Sequence, residues 1–79
     1  MTEQLIREIV SQHGKLSSST DDLKLGDDLY NAGLTSLATV GLMLAIEDEF
    51  DIEFPDSLLN RKTFSSIQSI QEAVEDLQS

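Results

Sequence analysis

Residues 36–50 read SLATVGLMLAIEDEF, and the spacing of the apolar side chains in this stretch decides the fold class. At about 100° per residue, Leu42, Met43, Ile46 and Phe50 gather on one broad helix face. Leu37, Val40 and Leu44 are expected to continue that face round the cylinder. Gly33 and Thr35 before the stretch and Asp51 after it mark its ends. The remaining stripe carries Ala38, Gly41, Ala45 and Asp48, an unusually small-sided face. A glycine inside a helix costs about 1 kcal/mol relative to alanine, so Gly41 points to close approach by either the preceding loop or a partner.

Toward the N-terminus, Leu5, Ile6, Ile9 and Val10 recur at i, i+1, i+4 and i+5, which suits one face of a first helix. Thr2 is its expected N-cap and Gly14 its expected C′ residue. From Lys15 to Thr35 no period persists, so a long loop is expected, bound down by Leu16, Leu23, Leu25, Leu29, Tyr30 and Leu34. Toward the C-terminus, Pro55 suits the first turn of a short helix through Asp56, Ser57, Leu58 and Leu59. Ser65 and Gln68 have capping-box spacing, and Ile67, Ile70, Val74 and Leu77 then recur at helical intervals. The expected fold is all-α, a small four-helix bundle whose third helix is short and whose first connection is long, in a single domain over residues 1–79.

Composition narrows the function. Fifteen acidic residues against five basic ones leave a formal net charge of −10. That excludes phosphate-tracking binders of nucleic acid and insertion into anionic membranes, and it favours basic protein surfaces as partners. No cysteine is present, which removes disulfides, thiolate zinc sites and cysteine nucleophiles together. No basic leader and no long apolar run is present, so the expectation is a soluble, cytoplasmic monomer.

A self-sufficient active site is not legible. His13 is the single histidine, placed where a cation favours the end of the first helix, and no serine–histidine–acid set assembles around it. Glu47, Asp48, Glu49, Asp51, Glu53 and Asp56 lack the alternating ligands and central glycine of an EF-hand loop, so they read as a solvated acidic face and no metal is expected. The chain reads as a non-enzyme.

The informative residue is Ser36, within Gly33-Leu34-Thr35-Ser36-Leu37. A serine here has an ordinary structural use as a helix cap. The same position favours an attached phosphate, because free N–H groups and the positive end of the helix dipole converge there.

This motif, with Asp27-Asp28-Leu29 before it and LMLAIEDEFDIEFPD at residues 42–56 after it, resembles the acyl carrier protein family over essentially the whole chain. The resemblance implies that Ser36 bears a 4′-phosphopantetheine arm, attached from coenzyme A by a separate phosphopantetheinyl transferase. The arm's thiol would hold an acyl or aminoacyl group as a thioester, and the resemblance implies that the bundle could receive an acyl chain between its helices, as in other family members. With no cysteine in the chain, that thiol would be the only one. Tethering would replace a dilute substrate by a locally concentrated one.

Departures from the family pattern bear on the partner. Thr35 stands where carriers of the fatty acid biosynthesis type usually have aspartate, and Ala38 and Gly41 occupy positions commonly acidic there. The reading therefore leans to a specialised carrier, loaded by its own acyl or aminoacyl ligase or synthase with a basic surface. The expected contact surface is Leu37, Ala38, Val40, Gly41, Leu44, Glu47, Asp48, Glu49 and Asp51, with shape and apolar contact replacing charge near Ser36. The alternative is an unmodified acidic helical interaction module that occupies a basic site on a partner protein.

Overall fold

The computed structural model describes residues 2–14 and 22–78. Three α-helices form the frame: α1 at Thr2–His13, α2 at Ser36–Phe50 and α3 at Ile67–Gln78. Among the described residues there is no strand. The first helix lies against both others, because Ile6, Ile9 and Val10 turn inward as their spacing requires. Leu5 stays at the exposed margin of that face. Ile67, Ile70, Ala73 and Val74 supply the facing stripe of α3, and Leu42 and Ile46 that of α2. Phe54 and Phe64 join this core and meet edge to face, with ring centroids 5.3 Å apart. Cutting one of the fully buried isoleucines to alanine would cost about 2–5 kcal/mol, a large part of what so small a domain has.

The fold class holds, but the expected four-helix count does not. Where a short third helix was expected, there is one 3-10 turn at Asp56–Leu58. Pro55 stands before it as the capping residue, not inside it. The turn stops because Asn60 competes for the backbone: its Nδ2 donates to Ser57 O at 2.9 Å, and its Oδ1 accepts from Thr63 N–H at 3.0 Å. Leu59, at φ −85° and ψ 68°, has already left helical geometry.

One cap sits one residue from the expected position. Ser66, not Ser65, caps α3, its Oγ accepting from Ser69 N–H at 3.0 Å. Ser65 Oγ instead donates to Lys62 O. At the other end of the molecule, Thr2 is already the first residue of α1.

The connection from α1 to α2 contains turns but is firmly seated where it is described; Leu16 and the rest of 15–21 lie outside the described residues. Leu29 and Leu34 are buried in the core. Leu29 N–H donates to Ser65 O at 2.6 Å and Gln68 N–H to Leu25 O at 3.0 Å, so the loop is stitched to the start of α3. Arg7 Nη1 donates to Leu23 O at 2.8 Å from the α1 side. Gly33 has φ 117°, a conformation that a side chain would strain, and it turns the chain between the buried Leu29 and the buried Leu34 ahead of α2.

Candidate functional site

The loop and α2 meet at Thr35 and Ser36, and the structure divides the roles between them. Thr35, extended at φ −102° and ψ 163°, is the N-cap of α2, and its Oγ1 accepts from Ala38 N–H at 3.1 Å. Its carbonyl accepts from Thr39 N–H at 2.9 Å and from the Thr39 hydroxyl at 2.8 Å. The capping function that a serine would ordinarily explain at position 36 is therefore filled by its neighbour. Ser36 is the first residue of the helix, exposed, and its hydroxyl has no hydrogen-bond partner among the described residues. No acidic side chain occupies the first turn of α2, so the positive end of the helix is not offset there.

Ser36 also lines a groove of about 390 Å³. Tyr30, Thr39, Val40, Met43 and Phe64 form much of its wall, and Leu59, Asn60 and Arg61 its far side. Thr39 Oγ1 and Tyr30 Oη are hydrogen-bonded at 3.3 Å, tying the loop to α2 within the groove lining.

Beyond Ser36, the apolar residues of α2 divide differently from the expected single broad face. Leu37, Val40 and Leu44 are 85%, 52% and 55% exposed. At about 100° per residue they fall within about 60° of one another, and about 170° from the midpoint of Leu42 and Ile46. They form an outer ridge, whereas Ala38, Met43, Ala45 and Phe50 are the residues that extend the buried face. The small-sided stripe divides too: Ala38 and Ala45 pack on the core, while a Cβ built on Gly41 meets nothing within 4 Å. Loop packing thus explains nothing about Gly41 among the described residues, and Ala38 is less open to a partner than expected. Below the ridge, Gly41, Leu44, Asp48 and Glu49 border a second groove, of about 520 Å³, with Ile9 and His13 of α1.

The acidic end is similarly sorted. Asp48, Glu49 and Asp51 are exposed. Glu47 is not free in the same sense: its Oε2 accepts from Phe54 N–H at 2.8 Å, while its carbonyl accepts from the N–H groups of Asp51 and Ile52. Its carboxylate fastens the turn after α2, a role that spacing alone did not disclose. Asp51 adopts the left-handed conformation at φ 53° and ψ 50° and ends the helix, one of the few non-glycine residue types that tolerate it.

Residues 4–75 match the family profile described as phosphopantetheine attachment site. An aminoacyl carrier protein of Agrobacterium fabrum is 55% identical over 69 residues, which cover 87% of this chain and 83% of that one. Among solved structures, one similar chain comes from an engineered Bradyrhizobium japonicum glycine:[carrier protein] ligase complexed with carrier protein from Agrobacterium tumefaciens and ATP. It superposes with a TM-score of 0.92 at 51% identity, over 95% of this chain and 97% of that one. Another comes from the Bradyrhizobium japonicum ligase complexed with glycylated carrier protein, with a TM-score of 0.77 at 26% identity, over 91% and 96% of the two chains. No helix among the described residues is long and apolar enough to cross a membrane.

Proposed function

Because the chain belongs to the phosphopantetheine attachment-site family, a family of non-catalytic carriers acted on by separate enzymes, we propose that Ser36 is the attachment residue and that the cargo is an aminoacyl group. One observation carries the first half: Ser36 is exposed with an uncommitted hydroxyl at the first residue of α2, because Thr35 does the capping. The residues fit a 4′-phosphopantetheine diester there. The oxygen to be modified costs the helix no cap, and the unneutralised N-terminus of α2 favours the phosphate. The group supplies the thiol on which a thioester is carried, and the chain has no cysteine to take the cargo from it.

In this reading Ser36 Oγ displaces adenosine bisphosphate from coenzyme A on a phosphopantetheinyl transferase. An aminoacyl ligase then loads the thiol and meets the carrier on the outer ridge of Leu37, Val40 and Leu44. Gly41 leaves room beside the ridge, and Asp48, Glu49 and Asp51 offer charge to basic side chains farther along. A ridge this apolar is what a binding face needs and what an isolated helix surface lacks reason for. The departures at Thr35, Ala38 and Gly41 and the likeness to carriers named for aminoacyl groups favour this cargo over the fatty acyl chains of fatty acid biosynthesis. Such a carrier works as a soluble monomer in the cytoplasm, where coenzyme A is at hand.

The test is intact mass after incubation with coenzyme A, magnesium and a broad-specificity phosphopantetheinyl transferase. The wild type is expected to gain one arm and Ser36→Ala none. Equal labelling of both would refute Ser36. An unlabelled wild type would favour the unmodified acidic module, whose binding to a basic partner would survive Ser36→Asn.

A further inference from the structure

Two of the five basic residues, Arg61 and Lys62, stand side by side between the 3-10 turn and α3. Arg61 is exposed, yet no carboxylate lies within ion-pair distance of it among the described residues. In a chain of net charge −10 that is unexpected, since acids are abundant and a guanidinium readily takes a bidentate oxyanion partner. Its guanidinium carbon instead sits 4.1 Å from the centroid of the Tyr30 ring, a cation–π contact that fixes the head group while leaving its N–H edge free to donate. Arg61 and Tyr30 line the same groove as Ser36.

We propose that Arg61 is a positioning residue for the arm on Ser36. Its guanidinium faces the diester phosphate, and the groove walls hold the apolar part that follows. The inference rests on Ser36 being the attachment residue, and it assigns to this chain's own side chains a resting place for the tether. The chemistry matches along the groove. A planar cation suits a phosphate oxygen pair. Val40, Met43, Leu59 and Phe64 offer apolar wall to the branched methyl carbons next to the phosphate. A volume of about 390 Å³ is at the lower end of the usual range for small-molecule sites, enough for the near part of the arm. The groove is open to solvent, so the arm can leave it when a ligase engages the ridge.

Holo-protein, its arm verified by intact mass, is examined by NMR for cross-peaks between the arm's methyl protons and the methyls of Val40 and Met43 or the Phe64 ring. Cross-peaks are expected in the wild type. Arg61→Gln is expected to lower their intensity by a factor of about 1.4 to 5, the factor that one exposed ion pair supplies, and to move the arm's phosphorus resonance. Lys62→Gln makes the same charge change one residue away, outside the groove lining, and is expected to leave both readouts in place. Circular dichroism of the three proteins checks that helix content is unchanged. An arm present by mass with no cross-peaks to the groove overturns the proposal alone, as do equal effects of the two variants or none from Arg61→Gln. A wild type that accepts no arm overturns the Ser36 reading and this one with it.

Discussion

Replacing Gly41 by alanine should make the domain more stable and, if the ridge is the ligase's footing, a worse substrate. Gly41 is the sixth of the fifteen residues of α2, well inside the helix, where alanine is favoured over glycine by about 1 kcal/mol. The new methyl meets nothing within 4 Å among the described residues, so no packing conflict with them offsets that gain. With an unfolding entropy of about 2.1 cal/mol/K per residue, 1 kcal/mol in a domain of this size raises Tm by about 6 °C. In urea, where the slope for so small a protein is about 1 kcal/mol/M, the midpoint rises by about 1 M at unchanged slope. Thermal and urea unfolding followed by circular dichroism measure both. A loss of stability would refute the reasoning, since it would mean that the side of α2 at Gly41 is covered. Loading kinetics supply the second arm: Gly41→Ala, and more so Gly41→Glu, should lower kcat/KM with the cognate ligase while both variants keep their fold. Ala38→Asp needs separate treatment, because Ala38 packs on the core and an acid there is expected to cost stability by itself.

Thr35→Ala is expected to cost about 1 kcal/mol through loss of the α2 cap, whereas Ser36→Ala should change stability by only tenths; equal losses in urea unfolding would contradict the division of roles between the two residues. Leu44→Glu, on the outer ridge, should lie within about 0.5 kcal/mol of wild type in stability and yet fall at least tenfold in ligase loading, and unimpaired loading would remove the ridge from the interface. The association rate with the ligase should fall as salt rises, since exposed charges at Asp48, Glu49 and Asp51 act over a screening length of about 8 Å at physiological ionic strength; a salt-independent rate would count against electrostatic guidance.

How much of this was legible in the sequence depended on what each signal encodes. The inward faces of α1 and α3 were readable because their apolar residues repeat with the helix period and their other positions are polar. The second helix was readable as a helix but not as two-faced. Leu37, Val40 and Leu44 are as apolar as Leu42 and Ile46, and apolarity does not say on which side a neighbour stands. Caps were misplaced by one residue where hydroxyl residues adjoin, at Thr35-Ser36 and Ser65-Ser66, because either member can cap and only the backbone decides. The single turn at Asp56–Leu58 lacked its expected helix because Asn60 takes up backbone groups, a competition that periodicity does not register. Ser36 was singled out by the residues around it, and its attachment role stays a proposal. That its hydroxyl is uncommitted was not legible, and neither was the placement of Arg61 over Tyr30, which joins residues 31 positions apart.

The two backbone bonds that join the loop to the start of α3, from Leu29 N–H to Ser65 O and from Gln68 N–H to Leu25 O, determine how the domain opens. Each joins segments about forty residues apart, so the loop and the start of α3 hold each other. The loop ahead of Ser36 then belongs to the same cooperative unit as α3, and the amide protons of Leu29 and Gln68 should exchange with solvent only through openings close to global unfolding. If enzymes meet the carrier on the outer ridge of α2, as proposed, they can do so without loosening the base on which that helix begins. On the proposed attachment at Ser36, the arm would start from a stationary mount, and the travel between enzymes would be left to the tether and to diffusion of the whole domain.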